Sequence, residues 1–294
     1  MSAPIVLFAY NRPTHLRQTI EALLKNPLAS QSSLLIYADG AKDETDTPKV
    51  QAVRQYIQTI KGFAEIHIIA RDRNWGLASS VIAGVSEVLD KYGKAIVLED
   101  DMTCAENFLD FMNQALDFYQ SDSQIFSVSG YTYPIRIPTD YPHDVFLAPR
   151  ASSWGWATWL DRWRLADWQM TDYPDFIHNP SKRATFNQGG DDLSLMLKKQ
   201  QAGQIDSWAV RWTYTHFKHK GYGLFPIQSK IQNIGVDNSG VHTPKTRKFE
   251  VNLHTATFQF PEKLQADTRI QKELQRFFRP PLWKRILNQV KYGL

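Results

Sequence analysis

The stretch Ile96-Val97-Leu98-Glu99-Asp100-Asp101 joins an apolar run to three consecutive carboxylates. Four neighbouring apolar residues, Ala95 to Leu98, with no polar alternation read as a strand buried on both faces. Runs of the same kind recur upstream at Ile5–Tyr10 (IVLFAY), Leu34–Ala38 (LLIYA) and Glu65–Ala70 (EIHIIA). Between them lie helical patterns. One starts at Thr14, with Leu16, Ile20, Leu23 and Leu24 on one face; Pro48–Ile60 and Leu77–Leu89 are the next two. Downstream, Phe108–Tyr119 reads as a fourth helix and Ile125–Ser129 as a short strand. Strands alternating with helices predict an α/β domain with a mostly parallel sheet covered on both faces. Ligands of such open sheets bind at the carboxyl ends of the strands. The polar groups at those ends are Asn11-Arg12, Asp39-Gly40, Arg71 to Asn74, and Glu99 to Asp101.

A chain of 294 residues with 43% apolar residues can bury a large core without covalent staples. Its single cysteine, Cys104, excludes an internal disulfide framework and a cysteine-based zinc site. The formal net charge of +4 is unevenly spread. From Arg269 onward there are seven basic residues against one acid, Glu273, which leaves the rest of the chain slightly acidic. There is no G-x-G-x-x-G after a strand and no G-x-x-x-x-G-K-[ST], so neither the dinucleotide fingerprint nor the P-loop is present.

Two readings of Glu99-Asp100-Asp101 stay open on the residues alone. It is a solvated turn before the next helix, or a site where packed carboxylates await a hard divalent cation such as Mg²⁺ or Mn²⁺. Asp39 reads either as a turn Asp before Gly40 or as an acceptor for a nucleotide N–H or hydroxyl. Arg12 is a surface arginine before Pro13 or a partner for a base or phosphate. After Tyr131 the pattern changes, and Trp154, Trp156, Trp159, Trp163 and Trp168 crowd fifteen residues. Such rings are either core or sugar platforms.

In this order and spacing, FAYNRP, YADG, RNWGLASSV and IVLEDD resemble nucleotide-sugar glycosyltransferases of GT-A fold, most of all the N-acetylglucosaminyltransferase I group and its bacterial relatives. The likeness covers most of residues 4–243. It implies that Asp101 binds a metal ion (Mn²⁺ or Mg²⁺) and that Asp100 faces the ribose and sugar. It also puts Arg12, Asp39 and Arg73-Asn74 at nucleotide-binding positions, with Arg73-Asn74 where the family has a base-contacting His. Trp154-Gly155-Trp156 and Trp208 match the acceptor segment, and Asp206 the catalytic base, with Asp191-Asp192 as a competing pair. The run from Asn233 to His242 matches the loop that closes over the diphosphate, with Ser239 and His242 as its contacts and His242 also near the metal.

The resemblance implies an inverting hexosyltransferase, using a UDP-sugar such as UDP-N-acetylglucosamine and a glycan or lipid-linked glycan acceptor, in bacterial surface polysaccharide or glycolipid assembly. Two alternatives stand beside it, a sugar nucleotidyltransferase of similar fold and a non-catalytic carbohydrate-binding protein. The first would want a glycine-rich phosphate loop after the first strand, where this chain has Asn11-Arg12-Pro13. The expected organisation is one catalytic domain, 1–261, with a nucleotide-sugar half (1–130) and an acceptor half (131–261), followed by a basic helical tail, 262–294. No run approaches the ~18 apolar residues of a spanning helix, and no leader stands out, so the expectation is a cytoplasmic protein. In the tail, Leu282, Trp283, Ile286, Leu287 and Val290 recur at helical spacing beside Lys284, Arg285 and Lys291. That pattern suits an anionic membrane surface at the inner face, or packing on the body or a second subunit. Nucleic acid is not expected, for want of a basic-aromatic motif in the body.

Overall fold

The computed structural model describes residues 2–237 and 246–293. Strands β1 (Ile5–Ala9), β2 (Ser33–Ala38), β3 (Glu65–Ala70) and β4 (Lys94–Glu99) alternate with helices α1 (Pro13–Leu24), α2 (Thr47–Ile57) and α3 (Leu77–Tyr92). Then come β5 (Met102–Cys104), α4 (Phe108–Phe118), β6 (Ile125–Ser129), β7 (Val145–Ala148), β8 (Trp156–Trp159) and α5 (Leu160–Trp163). The chain continues through α6 (Tyr173–Ile177), α7 (Pro180–Phe186), α8 (Leu193–Gln201), α9 (Trp208–Lys218), β9 (Tyr222–Pro226) and β10 (Ile231–Asn233), and ends in α10 (Thr268–Phe278) and α11 (Leu282–Tyr292).

Eight strands form one sheet in the order β3-β2-β1-β4-β8-β6-β9-β7. Pairings among β3, β2, β1 and β4 are parallel, as is β6 with β9, while β8 and β7 run against their neighbours. The unbroken apolar runs follow from coverage on both faces. Ile96 and Leu98 of β4 pack with Leu16 and Ile20 of α1 and Phe108 and Met112 of α4. Ala95 and Val97 point the other way, into Val81, Val85 and Leu89 of α3 and Trp156 of β8. Adjacent residues on opposite faces are the period-two geometry of a strand. Leu24, read as part of the inward face of α1, is instead exposed at the helix end.

From β1 the chain crosses to β2 and β3, then returns to place β4 on the other side of β1. The carboxyl ends of β1 and β4 therefore lie side by side where the strand order reverses, the topological switch point of such sheets. The ribbon of β5 with β10 pairs Met102 with Asn233, so a segment from far along the chain lies over the turn at Asp100-Asp101.

The tail is not one unit. In α10, Ile270 and Leu274 are buried against Phe146 and Phe225 of the sheet edge, so the packed body extends past Pro261. Helix α11 buries none of its side chains. Among the described residues no helix is long and apolar enough to cross a membrane.

Candidate active site

Thr19 of α1 stitches the acidic turn down. Its hydroxyl donates to the Asp100 carbonyl at 2.9 Å and accepts from the Met102 N–H at 3.1 Å. The Asp100 carboxylate accepts the Tyr10 N–H at 3.0 Å, which ties the ends of β1 and β4 together. Asp101 pairs with the Arg12 guanidinium at 2.6 Å. Its carbonyl accepts the Ile234 N–H at 2.8 Å, and the Asn233 side chain, 3.5 Å from Oδ1, in turn accepts the Gly235 N–H at 2.8 Å. Gly235 lies so close that a Cβ there would overlap both Asp101 Oδ2 and the Arg12 guanidinium. Beyond Arg12, Asn11 donates to Asp46 at 2.8 Å, and the Tyr10 hydroxyl donates to the same carboxylate.

Both Asp100 and Asp101 are buried. Burial, with the charge of Asp101 added, pushes the Asp100 carboxyl up to about 7. Burial and the two neighbouring acids push Glu99 well above the carboxylate range. Asp101 is also raised by burial, with Arg12 pulling it back. One guanidinium thus stands against three crowded carboxyls that resist being ionised together, a set of hard oxygen donors that a divalent cation would relieve. Among the described residues no three or more His, Cys, Asp or Glu side chains converge on a metal-holding group. Ser239 and His242, which the resemblance adds to the diphosphate contacts, lie outside the described residues.

The Asp39 carboxylate accepts three backbone N–H groups, from Gly40 at 3.0 Å, Trp75 at 2.9 Å and Gly76 at 3.2 Å. Arg73 and Asn74 are held to the same turn, since the Gly40 N–H reaches the Arg73 carbonyl and Asn74 donates to the Gly40 carbonyl at 2.9 Å. Asp39 therefore fixes the turn after β3 against the end of β2. The sequence reading placed Arg71 among the polar groups at the strand ends without giving it a role, and passed over Trp75. The Arg71 guanidinium lies 3.7 Å from the Trp75 ring centroid and 5.2 Å from that of Tyr37. Their signal was a basic-aromatic cluster directly at a strand's carboxyl end. Asn233 and Gly235 were missed as well, although they stand in a run already singled out.

Asp206 precedes α9, whose start is capped by Ser207 accepting from the Val210 N–H. Its side chain is just over half exposed and sits 3.5 Å from Arg211. The carboxylate comes within 3.8 Å of where a Cβ on Gly76 would stand, so it joins the turn that Asp39 organises. Asp191 and Asp192 have other partners. Asp192 takes two hydrogen bonds from buried Arg150, at 2.8 and 3.0 Å, and Asp191 pairs with Arg279 of the tail at 2.8 Å. Both members of the competing pair are thus held in ion pairs with arginines.

The tryptophans divide. Trp154 is partly exposed and meets Tyr131 and Phe249 edge-on, at 4.6 and 5.5 Å. Trp156 and Trp208 are almost wholly buried and stack on each other at 4.8 Å, with Trp163 and Trp212 in the same cluster. Rings closed in this way have no free face for a sugar, so the acceptor role read for Trp156 and Trp208 is corrected to one of anchoring α9 on β8.

A mostly parallel sheet with flanking helices and an acidic turn at its switch point agrees with the GT-A-type glycosyltransferase fold that the sequence resemblance implies. The chain belongs to glycosyl transferase family 2, whose model matches residues 5–181. A curated relative, the alpha-1,3-mannosyl-glycoprotein 2-beta-N-acetylglucosaminyltransferase of Arabidopsis thaliana, is 25% identical over 190 residues, 56% of this chain and 41% of that protein. This chain thus spans less than half of that relative. Among solved structures, GalNAc-T7 with UDP, GalNAc and Mn²⁺ is similar with a TM-score of 0.47 and 12% identity, over 77% of this chain and 42% of that one. S. aureus TarS is similar with a TM-score of 0.42 and 10% identity, over 79% and 36% respectively.

Proposed function

We propose that the chain transfers a hexose, with N-acetylglucosamine the first candidate, from a UDP-sugar to a hydroxyl of a glycan or lipid-linked glycan, with inversion at the anomeric carbon. The observation that carries this reading is the pair of buried carboxylates, Asp100 and Asp101, at the switch point with Arg12 as their nearest counter-charge. Their hard oxygen donors fit Mn²⁺ or Mg²⁺, which Asp101 would hold, with His242 the further ligand that the resemblance implies, and which would offset charge on the departing diphosphate. Asp100, held by the Tyr10 N–H, faces the ribose and sugar. The turn built by Asp39, Arg73 and Asn74 bounds the nucleotide, and Arg12 and Ser239 supply donors to it.

Asp206 acts as the base. As the acceptor oxygen bonds to the anomeric carbon and the bond to the diphosphate breaks, Asp206 takes the hydroxyl proton. Its half-exposed position beside Gly76 leaves room for an acceptor, and Trp154 offers the accessible ring. Family membership favours transfer over nucleotidyl transfer or simple sugar binding. The setting is assembly of a bacterial surface polysaccharide or glycolipid, on the cytoplasmic side.

The test is donor turnover with UDP-, GDP-, CMP- and dTDP-sugars, with and without Mn²⁺. Mn²⁺-dependent hydrolysis of a UDP-sugar is expected, and loss of it in Asp101→Asn. Binding of no nucleotide in either condition would refute the reading. Asp206→Asn is expected to bind donor and not transfer; intact transfer would move the base elsewhere.

A further inference from the structure

The two tail helices carry similar apolar spacing and end up in opposite situations. Helix α10 closes its apolar face onto the sheet edge. Helix α11 leaves Leu282 69%, Trp283 59%, Ile286 58%, Leu287 56% and Val290 82% exposed. At about 100° per residue these five side chains fall in one stripe, about 140° wide. The opposite side faces the body. There Tyr292 reaches Gln204 at 3.4 Å, and Lys198 of α8 donates to the Tyr292 carbonyl. The stripe is thus turned outward by contacts on its back.

The edges of the stripe identify the occupant. Lys284 and Lys291 flank it on one side and Arg285 on the other, and the sequence has no Asp or Glu after Glu273. A second copy related by a two-fold axis would bring cationic rims against each other. A surface with anionic headgroups reverses that sign, since the apolar stripe enters the acyl boundary while the Lys and Arg heads reach phosphates at its margin. Trp283 supplies the amphipathic ring favoured at that depth.

We infer that α11 docks the protein on an anionic lipid bilayer by its Leu282–Trp283–Ile286–Leu287–Val290 face. The helix lies in the interface plane and does not span it. Nothing in this inference depends on the transferase chemistry.

The experiment is co-sedimentation of the full chain with phosphatidylcholine vesicles, with and without phosphatidylglycerol. Binding is expected only to the anionic vesicles and is released at high salt. Leu287→Glu, and separately Lys284→Glu with Arg285→Glu, are expected to reduce the bound fraction about tenfold, with melting temperature and donor turnover in solution unchanged. Three results would overturn the inference: absence of wild-type binding to anionic vesicles, binding of Leu287→Glu equal to wild type, or elution of the wild type as a dimer that Leu287→Glu dissociates.

Discussion

Gly235 shows how tightly the acidic turn is covered. A methyl group at this position would meet Asp101 Oδ2 and the Arg12 guanidinium at once. Gly235→Ala is therefore expected to displace the pair, and UDP affinity measured by calorimetry should fall about tenfold, about 1.4 kcal/mol. The melting temperature should change little, because the packed faces of β4 are untouched. Arg150 and Asp192 pose the opposite case, an ion pair whose loss is felt in stability. Arg150 is buried, and it also donates to the Gly189 carbonyl at 3.2 Å. Arg150→Met leaves the Asp192 carboxylate unmatched and should cost about 3 kcal/mol in urea unfolding, while Arg150→Met with Asp192→Leu should recover most of it. At this scale the sequence was legible where chemistry is improbable by chance. Three acids ending an apolar run are such a case. It put Asn233 and Gly235 in the run matched to the closing loop without showing that they reach Asp101, which they do through pairing of β10 with β5, strands some 130 residues apart in the chain.

Elements were read with more success than their neighbours. Strands β1 to β4 and helices α1 to α4 fall where period and punctuation put them, because a run covered on both faces leaves its mark in composition. The tryptophans of β8 and α9 were not legible in that way. A ring beside glycine reads alike as platform or core, and only the stacking of Trp208 on Trp156 decides. His216 belongs to the same packing. It sits wholly buried against Phe126 and Trp212, with its Nε2 3.3 Å from the Ser127 hydroxyl. Burial pushes its imidazole down to about 3. The native state thus holds this ring neutral, while the unfolded chain protonates it below about pH 6.5. Stability contributed by the neutral ring is complete above that pH and is lost as pH falls from about 6.5 toward 3. At pH 5 the loss from this one group should be about 2 kcal/mol. Urea unfolding at pH 7 and pH 5 checks this, and in His216→Gln the difference between the two should shrink by about that amount.

For the whole molecule, the formal charge of +4 concealed two regions, and the structure divides the basic one again. Helix α10 belongs to the packed body, since Ile270 and Leu274 are each 1% exposed and close over Phe146, Ala148 and Phe225. Phe278 at its end covers the Arg150 guanidinium at 3.6 Å, and Arg279 pairs with Asp191. Helix α11 has no comparable burial. The sequence could not separate the two, because an amphipathic period tells that a face is apolar and not whether anything covers it. Two truncations distinguish their roles. Ending the chain after Arg279 removes a helix with no buried side chain and only the Tyr292 contacts to the body, so the melting temperature should stay within about 2 °C and solubility should rise. Ending it after Pro261 strips two buried aliphatic side chains and uncovers the aromatic patch beneath them, a loss of about 3 to 6 kcal/mol at about 1.5 to 3 kcal/mol per side chain. At about 2 to 4 °C per kcal/mol the melting temperature should then drop by on the order of 10 °C. Scanning calorimetry on the two truncated chains reads both outcomes. Equal melting temperatures would mean that α10 contributes no more to the body than α11 does.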